Sequence, residues 1–183
     1  MPKILRLSSL LALIAILVSP TVSPTPAQAA GATMTVKIFL VALQDNGKNG
    51  QKIGCDDSII PVNVEIPRTH TPLRDALNKL FSLKQETIPP AEKGGLELTN
   101  TLHASTLNVI GISLNNSTLK LNLSGQLSLA GECDDPRVQA QIADTALQYS
   151  TINSLPVTGV KVFINGKPLE RLLVGEGEGR AHG

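Results

Sequence analysis

The chain has 183 residues, a formal net charge of +1, and only 2% aromatic residues, with no Trp, one Tyr and three Phe. That length suits one domain with a real core, and with so few rings the core must be built from Leu, Val, Ile and Ala. A near-neutral chain without stacking platforms has neither the basic face nor the aromatics that nucleic-acid binding requires, so that class of function is excluded.

At the N-terminus, Lys3 and Arg6 precede an apolar run from Leu7 to Val18, interrupted only by Ser8 and Ser9. The run is shorter than the roughly 20 residues a membrane-spanning helix needs. Pro20, Pro24 and Pro26 then stop a helix, and Ala27-Gln28-Ala29 is a small-x-small cleavage site. Residues 1–29 therefore read as a signal peptide cut after Ala29, with an uncleaved anchor as the alternative. No cysteine follows the run to carry a lipid. Cleavage removes Lys3 and Arg6 and takes the net charge to about −1, leaving no other run long enough to span a membrane. The remainder reads as a single domain, 30–174, followed by a Gly-rich, charged tail, 175–183, expected to be disordered.

Within the domain, Thr33–Leu43 is a predicted strand. Val36, Ile38, Leu40 and Ala42 share one face, and Phe39, Val41 and Leu43 line the other, so its second half is expected to be buried on both sides. After the polar Gln44–Gly54 loop, Ile59–Ile66 alternates as a second strand, with Pro61 pointing to an edge or a bulge. Thr71-Pro72 reads as a helix N-cap and first position. Leu73, Ala76, Leu77, Leu80 and Phe81 then mark one buried helix face running to about Leu83. Gln85–His103 is a long connection carrying Pro89-Pro90 and Gly94-Gly95. Connections of this length are uncommon unless packed or used for binding. Thr106–Leu114 and Thr118–Ser124 form an expected antiparallel hairpin around Asn115-Asn116, with Leu119, Leu121 and Leu123 facing in. Asp135-Pro136 reads as a second cap-then-proline start, for a helix with Val138, Ile142, Ala146 and Tyr149 on one face, ending near Ser150. Gly159–Ile164 is the last strand, closed by Asn165-Gly166. The order β-β-α-β-β-α-β predicts an α+β fold with a small mixed sheet and two helices on one face.

Two stretches carry the candidate chemistry: Gly54-Cys55-Asp56-Asp57-Ser58 and Gly131-Glu132-Cys133-Asp134-Asp135-Pro136. An even pair of cysteines in an exported chain reads first as a disulfide, Cys55–Cys133. Two reduced buried thiols are the alternative. A catalytic thiol would need His70 or His103 as base, and neither lies in a recognisable motif. If the cysteines pair, Asp56, Asp57, Asp134 and Asp135 come together and could hold a cation; the competing reading is a helix cap at Asp135 and turns at Asp56 and Asp57. Asp45-Asn46-Gly47-Lys48-Asn49-Gly50 partly matches a calcium loop, with Asp56 at the twelfth position, but Gly47 offers no ligand at the third. Asp45, Asn49, Asp56, Asp57 and Asp134 are thus weak metal candidates, and the spacing implies no metal site and no cofactor. His70, His103 and His182 are too scattered for a ligand set. Asn115, Asn116 and Asn122 begin glycosylation sequons, relevant only in a eukaryotic secretory pathway.

From about Val36 to Leu169 the chain resembles the GerMN-type domain, the sporulation and spore germination domain of bacterial envelope proteins. The resemblance rests on Val36-Lys37-Ile38-Phe39-Leu40, Ile60-Pro61-Val62, Thr71-Pro72-Leu73-Arg74-Asp75-Ala76-Leu77, Leu119-Lys120-Leu121-Asn122-Leu123-Ser124 and Val160-Lys161-Val162-Phe163-Ile164-Asn165-Gly166-Lys167. It implies a fold like the ring-building motifs of secretion and sporulation assemblies, and no enzymatic activity. This chain departs from several members in showing one copy of the pattern rather than a tandem. The expectation is an exported, non-enzymatic domain at the bacterial cell envelope that binds a protein or envelope partner, with self-association open. The alternative is a secreted hydrolase or cation-binding protein using the aspartates near Cys55 and Cys133. A ligand of the 85–103 connection is a third possibility.

Overall fold

The computed structural model describes residues 31–88, 96–152 and 154–170, all within one compact unit. The expected signal peptide at 1–29, the tail at 175–183, and the Pro89-Pro90 and Gly94-Gly95 segment lie outside the described residues.

Strands β1 (Thr33–Ala42), β2 (Gln51–Lys52), β3 (Ser58–Pro67) and β4 (Leu98–Thr99) form an antiparallel sheet in the order β2-β3-β1-β4. β1 is interior, as its two-sided apolar half predicts: Ile38, Leu40, Val41 and Ala42 are all buried completely. Leu43 departs from that expectation. It lies just past the strand and is 50% exposed. β2 pairs only with Ile59 and Ser58, so Pro61 sits where the outer side of β3 has no neighbour and its missing N–H costs no ladder bond.

Helix α1 (Pro72–Ser82) buries Leu73, Ala76, Leu77, Leu80 and Phe81, the predicted face. Thr71 occupies the N-cap, but its hydroxyl makes no capping bond. Thr69 organises the start instead: its hydroxyl accepts from the Thr71 N–H at 3.1 Å and donates to Asp75. Strands β5 (Asn108–Asn115) and β6 (Thr118–Ser124) make the expected hairpin, with a bulge between Val109 and Gly111. Helix α2 (Asp134–Leu147) begins one residue before the predicted cap and ends before Ser150. Cys133, not Asp135, is its N-cap, and Pro136 falls within the first turn, where no intrahelical N–H bond is lost. β7 (Thr151–Ile152) and β8 (Leu155–Pro156) form a separate short ribbon. β9 (Gly159–Ile164) then runs parallel to β6, and β10 (Lys167–Pro168) folds back on it, giving a mixed sheet in the order β10-β9-β6-β5.

The long elements thus follow the expected β-β-α-β-β-α-β order in an α+β fold, but their strands divide between two four-stranded sheets. Alternation identifies the apolar face of each strand; it does not say whether two such faces share a sheet. Here α1 contacts β1, β3 and β5, while α2 contacts β1, β3 and β9, so each helix packs on both sheets. One hydrophobic cluster joins them, and Leu77, Leu80, Leu119, Leu121, Leu123, Val138 and Ile142 are among its fully buried members. Each such side chain contributes about 1.5–3 kcal/mol by leaving water.

Candidate functional site

The first cysteine stretch forms one turn of 3-10 helix, Gly54–Asp56, in which Cys55 (φ 61°) and Asp56 (φ 57°) are both left-handed. Each non-glycine residue in that region costs roughly 1–2 kcal/mol, so the turn needs external restraint. A disulfide joins Cys55 to Cys133 across 78 residues, with Cα atoms 5.8 Å apart. Main-chain bonds from Ile53 N–H to Asp57 O (2.9 Å) and from Asn46 N–H to Asp56 O (2.7 Å) close the loop. Gly54 lies against the second stretch: a Cβ there would stand 2.8 Å from the Pro136 ring.

Of the aspartates of this corner, Asp57 and Asp134 meet at one arginine, and Asp56 stands apart. Asp57 is wholly buried and accepts from the Gln44 N–H at 2.9 Å and from Arg137 Nε at 2.6 Å. Asp134 accepts from Arg137 Nη1 at 3.2 Å and from the N–H groups of Ala130 (2.6 Å) and Gly131 (3.2 Å). Its carboxylate therefore braces the turn before α2. Burial works against the guanidinium charge, but the hydrogen bond and charge of Asp57, and then of Asp134, outweigh it and raise the Arg137 pKa. Asp56, by contrast, is 71% exposed and pairs with Lys52 at 2.8 Å.

The partial calcium loop is organised by its own members. Asp45 accepts from the Asn49 N–H at 2.8 Å and from the Asn49 side-chain amide. The Ser58 hydroxyl and then Asn49 hold its pKa below the usual carboxylate value. Among the described residues, no three His, Cys, Asp or Glu side chains gather as a metal site would require. The cation between Asp57 and Asp134 is Arg137, whose only signal in the sequence is the three-residue spacing Asp134-x-x-Arg137 on a helix.

A second polar cluster ties the long connection to the core. Gln141 of α2 is fully buried, donating to Phe39 O (3.0 Å) and Asn100 Oδ1 (3.1 Å) and accepting from the Thr101 N–H (3.0 Å). Asn100, also fully buried, donates to Leu80 O and Leu83 O, both at 2.9 Å, and so closes the end of α1. The described part of 85–103 is thus ordered by packing, including a 3-10 turn at Gln85–Thr87. His103 donates through Nδ1 to Asn100 O at 2.8 Å, whereas His70 is exposed ahead of α1. His182 lies outside the described residues.

Tyr149 carries the remaining polar atom of note: its hydroxyl is buried without a hydrogen-bond partner among the described residues. Burial, and secondarily the charge of Asp75, raise its pKa. An unpaired buried hydroxyl costs about 1–3 kcal/mol. Tyr149→Phe is therefore expected to stabilise the domain by about 1 kcal/mol, read as a higher urea midpoint at unchanged slope. A lower midpoint would show that the hydroxyl is partnered in solution.

A family model described as sporulation and spore germination, Germane, matches residues 40–170. No curated protein matches the chain at a significant level. Among solved structures, the chain is similar to the first GerMN domain of the sporulation protein GerM from Bacillus subtilis, with a TM-score of 0.48 and 16% identity over 75% of this chain and 86% of that one. It is also similar to the tandem GerMN domains of the same protein, with a TM-score of 0.46 and 17% identity over 74% of this chain and 40% of that one.

Proposed function

The chain belongs to the Germane family, the sporulation and spore germination family, and on that premise we propose that it is an exported, non-enzymatic domain that docks a protein partner at the bacterial cell envelope. The observation that carries the non-enzymatic part is Arg137. Its guanidinium binds both Asp57 and Asp134, and Asp57 spends its other oxygen on the Gln44 N–H. These carboxylates, the best acid-base candidates in the sequence, serve to hold two loops together. The Cys55–Cys133 disulfide supports an oxidising, extracytoplasmic setting. Among the described residues, no helix is long and apolar enough to cross a membrane.

The test is crosslinking in intact cells followed by co-purification from the envelope fraction. The expected result is a discrete crosslinked species with an envelope protein. A freely diffusing monomer with no envelope association would overturn the reading.

A further inference from the structure

We propose that the outer edge of β5 receives one extended strand from a protein partner, a segment in which apolar and acidic residues alternate. The proposal rests on the partner-docking reading and assigns it a surface and a chemistry.

β5 is the terminal strand of the second sheet. Natural edges are guarded against pairing by lysine, proline or short length. β5 is eight residues long, Asn-Val-Ile-Gly-Ile-Ser-Leu-Asn, with no charge and no proline. Only its start is covered: Arg74 donates to Val109 O at 2.7 Å, and the Val109 N–H reaches Asn78 at 3.4 Å. From Ile110 to Asn115, no side chain among the described residues bonds the main chain, and Ile110 is 61% exposed.

The two faces beside this edge differ in chemistry. On the core side, Ile112 and Leu114 are only half-buried although they stand opposite the fully buried Leu121 and Leu119. Ile112 also lines a cleft of about 410 Å³ with Leu73, Tyr149 and Ile152, room for an apolar side chain of an added strand. On the other face, Lys120 and Lys161 stand side by side on β6 and β9, and Lys120 lies 4.5 Å over the Phe163 ring. No strand of this sheet contains an Asp or Glu. Adjacent like charges are unfavourable, and a carboxylate arriving on an added strand would relieve them. Between the edge and Lys120 stands the small residue Ser113, directly opposite it, with Gly111 next along the same face, opposite Asn122. A Glu on a strand one position beyond β5 would meet the ammonium group once Lys120 swings off the Phe163 ring of β9 and across Ser113. Main-chain pairing would supply affinity, and the alternating apolar and acidic side chains would supply specificity.

The test titrates the isotope-labelled full chain with two synthetic hexapeptides, one alternating Val and Glu, the other Val and Lys, read by backbone amide shifts. The Val-Glu peptide is expected to shift Ile110–Asn115 and to bind at least tenfold more tightly than the Val-Lys peptide. Lys120→Glu, an exposed substitution, is expected to reverse that preference. Absence of shifts at millimolar peptide, equal binding of the two peptides, or an unchanged preference in Lys120→Glu would each overturn the proposal. Envelope crosslinking in the face of any of these results would leave partner docking standing and move it to another surface.

Discussion

Arg137→Ala is expected to lower the unfolding free energy by about 3–5 kcal/mol, because it leaves a buried charge without its partner. The charge is Asp57, which has no solvent exposure and keeps only the Gln44 N–H after the substitution. Asp134 is less affected, since it retains the N–H groups of Ala130 and Gly131. Urea titration at neutral pH measures the loss. Arg137→Lys should recover part of it, restoring the charge but not the two-pronged geometry. A loss below about 1 kcal/mol would be the size of an exposed ion pair and would show that water reaches Asp57 freely. Variants of the two carboxylates that Arg137 binds bear on function. If Asp57 and Asp134 were catalytic, Asp57→Ala and Asp134→Ala would abolish an activity at intact fold; a purely structural role predicts a lowered melting temperature alone.

Reduction of the Cys55–Cys133 bond carries the other large effect. Closing a loop of 78 residues corresponds to about 4–5 kcal/mol in the chain-entropy model, an upper-end value. The double variant Cys55→Ser/Cys133→Ser should show most of that loss in the same titration. Non-reducing and reducing gels of the folded protein supply the direct check: two titratable thiols in the denatured, unreduced chain would remove the basis of the prediction. Domains of this size are stable by about 5–15 kcal/mol, so either loss is a large fraction of the whole. The two are not independent. Cys55 and Asp57 belong to one loop, and Cys133, Asp134 and Arg137 to one helix start, so the disulfide and the ion pair restrain the same two segments. Removing both should depart from additivity by about 0.5–3 kcal/mol.

The legibility of this chain tracks the range of the interaction. The α1 face could be read because Leu73, Ala76, Leu77, Leu80 and Phe81 repeat at the helical period, and the β6 face because Leu119, Leu121 and Leu123 repeat at the strand period. The left-handed turn at Cys55 and Asp56 could not, since neither residue type announces a positive φ. Asp135 looked like a cap because a proline follows it; the helix instead starts at Asp134, where the carboxylate is drawn back to Ala130 and Gly131.

By itself, the sequence determined the long elements and their order, the apolar faces that build the core, and the family pattern from Val36 to Leu169. These are properties of neighbours along the chain, set by side-chain period and backbone preference. Only the tertiary structure decided that the strands divide between two sheets, that Gln141 and Asn100 bury their amides against each other, and that the aspartates beside the cysteines meet an arginine. Asp57 and Arg137 are 80 residues apart, and Gln141 and Phe39 are 102 apart. No local pattern encodes such a pair, because its geometry exists only once two helices and two sheets have closed around it.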